Sequence, residues 1–158
     1  MKKWQDPTWK EVIQNAIQWY IESLKHSKGY NSSIILLQAA LEKIAWTFLK
    51  GNEYVTSDGF NGLKASGQIR LLLKTLDIRL EPIEEYIEIQ KKAKELNWTD
   101  SIIAIIEIRN TIIHPQIKSN KPQFLSEKIM QEAFEIINTY LIKCLLKLFE
   151  YPYSIDEN

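Results

Sequence analysis

A chain of 158 residues has the size of one ordinary domain and buries roughly 70% of the surface its unfolded form exposes, so it needs neither disulfide nor metal to hold a core. Its 20 lysines and arginines are matched by 20 aspartates and glutamates, which excludes a protein that coats nucleic acid by bulk positive charge. Any contact with RNA or DNA has to come from a local patch. The single cysteine, Cys144, excludes an internal disulfide and reads as a small core residue in a reducing compartment. Residues 1–6 are not followed by the apolar core of a signal peptide. No stretch is expected to reach the ~20 apolar residues of a membrane span, since even 101–113 is broken by Glu107, Arg109 and Asn110. The expectation is a soluble, cytoplasmic, all-α protein: one domain over 1–158, with a core at about 31–150 and an N-terminal helix, 7–26, packed on it.

Asp6-Pro7 is a helix opening, an acid at the N-cap followed by proline in the first turn. Trp9, Val12, Ile13, Ala16, Ile17, Tyr20, Ile21 and Leu24 then recur at helical spacing until Ser27-Lys28-Gly29. Asn31 can cap a second helix with Ile34, Leu37, Leu41, Ile44, Ala45, Phe48 and Leu49 on one face and Gly51 as its stop. Ile35, Leu36 and Trp46 lie off that face, a width of apolar surface that predicts the central helix. Asp58-Gly59 and Asn61-Gly62 mark 51–67 as a loop. A third helix is expected from about Gln68 to Leu76. A fourth opens at Pro82, with Ile83, Tyr86, Ile87, Ile89, Ala93 and Leu96 as its apolar positions. Asp100 caps a fifth, from Ser101 to about Ile113, which Pro115 ends because the residue before proline avoids α geometry. Its isoleucines would suit a strand, but its capping and length favour a helix. Ser126 caps the last and longest, to about Phe149. The prediction is a bundle of five to six helices, the second and the last forming the central pair.

Two histidines and one cysteine, with no HExxH or CxxC, leave no zinc site. There is no glycine-rich phosphate loop and no nucleophile elbow. Glu81, Glu84, Glu85 and Glu88 crowd one amphipathic segment and read as a solvated face. What remains is the run Arg109-Asn110-Thr111-Ile112-Ile113-His114. Residues four apart share a helix face, so Asn110 and His114 stack one turn apart, with Arg109 beside them among isoleucines. Unpaired, such buried polar groups would each cost a few kcal/mol. A purely structural account would pair Arg109 with Glu42 or Glu107 and leave His114 to end the helix.

The run 109–115, Arg-Asn-Thr-Ile-Ile-His-Pro, resembles the R-N-x-x-x-H-P form of the Arg-x4–6-His signature of HEPN domains, helical bundles with many RNA-cleaving members. Leu37-Gln38-Ala39-Ala40-Leu41-Glu42 is similar to the early-helix "a-LE" stretch of the ApeA-like branch. The run from Tyr140 to Phe149, followed by Tyr151, is similar to that branch's closing helix. The likeness covers roughly 31–153. Two features depart from the family. Gln116 stands where the nucleotidyltransferase-paired toxin branch has tyrosine, which argues against that branch and against control by tyrosine modification. ApeA-like domains also often follow a separate N-terminal domain, whereas this chain has room for about one extra helix, as a stand-alone form or a piece of a longer protein.

The resemblance implies metal-independent, cofactor-free cleavage of single-stranded RNA in a defence or toxin–antitoxin setting. His114 would move the proton, because an imidazole titrating near ~6.5 both takes and gives one at neutral pH. Arg109 would bind the charge growing on phosphorus, and Asn110 would orient His114 or a phosphate oxygen. Glu42 would orient Arg109, and Lys118 and Lys121 would hold the RNA backbone. Each chain supplies one set, so the resemblance implies a homodimer with the 101–114 helix near its axis, with room for a regulatory partner protein and no membrane. The alternative is a non-catalytic helical interaction or dimerisation module that keeps the motif as a structural polar cluster.

Overall fold

The structure is a computed structural model that describes residues 5–25, 29–114 and 125–150. Among them are seven α-helices, one 3-10 turn and no strand. In chain order these are α1 (Pro7–Ser23), α2 (Tyr30–Gly51), α3 (Ser57–Gly62), α4 (Ala65–Thr75), the 3-10 turn (Ile83–Glu85), α5 (Ile87–Leu96), α6 (Ser101–Ile113) and α7 (Glu127–Leu148). The all-α architecture agrees with the sequence pattern, but the helix count exceeds the five to six expected, and the reason is local.

The segment read as a loop over 51–67 contains α3. Thr56 accepts a hydrogen bond from the Gly59 N–H at 3.1 Å and so caps it, and Phe60 drives a ring into the core. One apolar residue among glycines and polar residues leaves no periodic trace, yet a buried phenylalanine is enough to fix a short turn of helix. The segment read as one helix from Pro82 breaks at Tyr86 (φ −111°, ψ 91°) into the 3-10 turn and α5. That break shifts the helical phase. Ile89 and Ala93 are buried as expected, whereas Ile87 and Leu96 face outward. Tyr86 supplies no side-chain cap, and Glu132 of α7 does so instead, accepting from the N–H groups of Glu88 and Ile89 at 3.1 and 2.8 Å. A carboxylate on these otherwise orphan donors also suits the positive end of the helix dipole.

The glutamate cluster is likewise not one solvated face. Glu84 and Glu85 are exposed, but Glu81 is half-buried and holds Lys143 of α7 at 2.6 Å.

Other boundaries move by a turn or less. α2 starts at Tyr30 rather than after Asn31, from Gly29 at φ +76°, a left-handed geometry that favours glycine. α4 starts three residues before Gln68. Asp6, Asp100 and Ser126 each cap the helix expected of them, with oxygens 2.8 Å from Thr8 N, 2.9 Å from Ile103 N and 3.3 Å from Ile129 N. On α1, Trp9, Val12, Ile13 and Ala16 are buried, but Ile21 and Leu24 are exposed.

α2 and α7 form the centre. α2 packs against α1, α3, α4, α6 and α7, and α7 also packs against α5 and α6. Ile34, Leu37, Leu41, Ile44, Ala45, Phe48 and Leu49 of α2 meet Ile136, Ile137, Tyr140, Leu141 and Cys144 of α7 in one cluster. Cys144 is fully enclosed, and burial pushes its thiol well above the ordinary range. Contrary to the sequence expectation, the 22-residue α2 is long and apolar enough by composition to cross a bilayer. Most of its apolar side chains are taken up by the core, with Trp46 left exposed, and the helix sits inside the bundle.

α6, the helix that carries the motif, is anchored at its N-terminal end. Arg70 of α4 donates from Nε and Nη2 to the Asp100 carboxylate at 2.9 and 2.7 Å. The buried Tyr140 hydroxyl of α7 lies 2.8 Å from Ser101 Oγ and accepts from Glu81 N–H at 2.7 Å. Burial raises the Tyr140 phenol to about 12.

Candidate functional site

Among the described residues the far end of α6 carries no such anchorage. Its last turns, Arg109 to Ile113, follow a stem in which Ile102, Ile105, Ile106 and Ile108 are buried. The helix closes on His114, whose N–H donates to Asn110 C=O at 2.7 Å while its own dihedrals (φ −120°, ψ 82°) leave α geometry. A residue before proline avoids α geometry, which suits the helix ending here. His114 therefore ends the helix as a C-cap and is exposed, one turn beyond Asn110.

Arg109 and Asn110 are half-buried and joined: Arg109 Nη1 donates to Asn110 Oδ1 at 3.3 Å. The expected pairing of Arg109 with an acid is absent. Among the described residues, neither Glu42 nor Glu107 makes an ion pair or hydrogen bond with the guanidinium. Arg109 Nε is buried without any hydrogen-bond partner. Thr111 bonds back to Glu107 C=O at 2.9 Å and is occupied there. Glu42, on α2, is half-buried and accepts from Gln38 Nε2 at 2.8 Å. The site as described thus brings together Arg109, Asn110 and, through the backbone, His114; Glu42 stands apart with Gln38. Lys118 and Lys121, expected to hold RNA, and Gln116 lie outside the described residues, as does His26.

Such an arrangement has a chemical direction. A guanidinium without a carboxylate partner keeps its full charge for an external anion, and its forked donors suit a phosphate. The negative end of a helix dipole tolerates cations, which offsets part of the cost of placing Arg109 there. His114, one turn beyond Asn110, exposes an imidazole, a group able to exchange protons. Among the described residues no three histidine, cysteine, aspartate or glutamate side chains gather to hold a metal ion.

Sequence reasoning missed Gln38. It is 1% exposed, its Oε1 has no hydrogen-bond partner, and it sits on a helix that packs against α6. A buried glutamine inside an apolar stripe is the signal that could have found it, since such a group is buried only at a cost.

A family model described as "YopA C-terminal domain" matches residues 6–154. The chain is also similar to the SPbeta prophage-derived uncharacterized protein YopA of Bacillus subtilis (strain 168), at 27% identity over 120 residues, or 73% of this chain and 25% of the relative. It therefore spans about a quarter of that relative's length. No solved structure matches the chain.

Proposed function

The chain belongs to the YopA C-terminal domain family, and we propose that the C-terminal end of α6 is the half-site of a HEPN-like, metal-independent endoribonuclease. The observation that carries this reading is Arg109: a half-buried guanidinium bonded to Asn110 and to no acid among the described residues, one turn from an exposed histidine. A polar cluster kept for stability alone would satisfy its buried donor, because leaving one unpaired costs about 1–3 kcal/mol.

The reaction is intramolecular transesterification. A histidine takes the proton from the ribose 2′-hydroxyl, whose oxygen attacks the adjacent phosphorus. The bond from phosphorus to the 5′-oxygen breaks, and that oxygen gains a proton. The products are a 2′,3′-cyclic phosphate and a 5′-hydroxyl, with no water consumed. His114 is the proton-transfer group, and Arg109 offsets charge on the non-bridging oxygens. Asn110, by holding Arg109 Nη1, aims the guanidinium. One His114 cannot readily serve both oxygens, so the reading includes a homodimer in which two α6 ends share a cleft. The prophage origin of the Bacillus subtilis relative is in keeping with a defence or toxin–antitoxin setting.

The test is an assay of purified protein on mixed single-stranded RNAs with EDTA present. Cleavage by the wild type, and loss of roughly 10²–10⁴-fold in His114→Ala at an unchanged helical spectrum, is the expected result. Intact RNA with the wild type would leave the cluster as part of a non-catalytic interaction module.

A further inference from the structure

The outward stripe of α6 runs through Ile103, Glu107, Asn110 and His114, which recur at helical spacing and are half-buried or exposed. The rest of its stem, Ile102, Ala104, Ile105, Ile106 and Ile108, is buried in the bundle. Two ionisable groups on that stripe lack partners. The half-buried Glu107 carboxylate and the exposed His114 imidazole each make no side-chain hydrogen bond or ion pair among the described residues. They cannot serve each other within one chain, because seven residues of helix hold them about 10 Å apart, at about 1.5 Å per residue. A carboxylate drawn half out of water without a cation comes at a cost. An imidazole that moves protons needs a third group to orient its ring. A second copy of the chain supplies both needs at once.

The direction of the two-fold axis decides which groups meet. With the axis along α6, Glu107 would oppose Glu107, and like charges would face each other. With the axis across α6, the two helices run antiparallel. An axis between Asn110 and Thr111 then sets position 107 against 114 and position 110 against 111, so each carboxylate faces an imidazole. The residues at the axis also match. Asn110 Oδ1 is taken by Arg109, which leaves its amide N–H groups to donate. Thr111 Oγ donates to Glu107 C=O at 2.9 Å and keeps lone pairs to accept.

We propose that two copies pair through this stripe, antiparallel about Asn110 and Thr111, and that Glu107 of one copy orients His114 of the other; this rests on the half-site reading above. Glu107 is then a positioning residue supplied in trans. The same register sets the two His114 about 10 Å apart along the helices, on either side of the axis, so that both imidazoles border one cleft.

Oxidative crosslinking of Glu107→Cys/His114→Cys reads the register. Within one chain these positions are out of disulfide reach, since Cα atoms more than about 7 Å apart cannot be bridged. Between antiparallel copies they are opposed. The double variant should run as a covalent dimer on a denaturing gel and each single variant as a monomer; Cys144 is enclosed in the core and takes no part. Equal crosslinking of the single variants, or none in a double variant that is dimeric by light scattering when reduced, overturns the proposal. If the double substitution itself separates the copies, a charge swap decides. Glu107→Lys raises the dimer dissociation constant about tenfold, the loss of two modest ion pairs by symmetry. Adding His114→Glu restores it, and no restoration overturns the register. In cleavage, Glu107→Gln lowers kcat about tenfold at unchanged KM, and Glu107→Asp regains part of it; an unchanged kcat overturns the positioning role. Crosslinking and the swap need no activity. A protein that pairs in this register but leaves RNA intact keeps the contact and removes the ribonuclease reading. Cleavage by the wild type, with no crosslink in the double variant, does the reverse.

Discussion

In the proposed reaction the weight falls on Arg109, whose Nε is buried without a hydrogen-bond partner. Joined to Asn110 at 3.3 Å, and to no carboxylate among the described residues, the guanidinium would, on that proposal, meet the incoming phosphate. Arg109→Ala should therefore lower cleavage by about 10²–10³-fold, the usual cost of a lost transition-state donor. Arg109→Lys should recover only part of it, since an ammonium keeps the charge but not the fork. Steady-state rates of the two variants beside wild type check this, and equal activity in all three would deny Arg109 its role. The motif and the helix end at His114 were legible in the sequence, because residue spacing and a following proline are local properties. The supposed partnership of Glu42 with Arg109 was not. Which side chains meet across two helices depends on their relative rotation, and no single helix's pattern records it. Glu42 is instead engaged by Gln38.

Among the elements, α6 is held at its N-terminal end. Asp100 is both the N-cap of α6 and the partner of Arg70. Asp100→Ala should destabilise the fold by about 1–3 kcal/mol, from the lost cap and the stranded Arg70. Asp100→Asn, which can still cap, should lose less; a denaturant titration that ranks the two alike would refute the shared role. Tyr140 ties α7 to Ser101 and to Glu81 N–H. Its phenol is raised from 10.0 to about 12, so burial favours the neutral form. The associated stability is complete below pH 10 and is lost as pH rises from 10 through about 12. Tyr140→Phe should reduce that alkaline loss and cost about 1–3 kcal/mol at neutral pH. Some alkaline loss should persist, since burial and Glu81 raise Tyr86 to about 12 as well. Unfolding curves at pH 8 and pH 11 measure both effects. The caps and the two central helices could be read ahead of the structure. The break at Tyr86 could not, because the cap that follows it comes from Glu132 on a distant helix.

For the whole molecule, the proposed dimer has less isoleucine to draw on than the sequence suggests. Ile102, Ile105, Ile106 and Ile108 are buried within the chain, while Ile103 and Ile112 are half-buried and Ile113 is exposed. A contact between two copies through α6 therefore depends on its last turn, where the two half-sites would meet. Ile113→Glu should turn a dimer into a monomer by light scattering at micromolar concentration and abolish cleavage with it; a monomeric wild type cutting RNA at full specific activity would contradict the shared cleft. The central claim is that Arg109 and His114 cut RNA by attack of the 2′-hydroxyl, and the mass of the fragments tests it most directly. A short single-stranded RNA incubated with wild-type protein in EDTA should yield 5′-side fragments ending in a 2′,3′-cyclic phosphate and 3′-side fragments with a free 5′-hydroxyl. Neither should appear with His114→Ala, nor from the same RNA with a 2′-deoxyribose at the cut position. Fragments with a 5′-phosphate, or the same fragments from the His114 variant, would contradict the account.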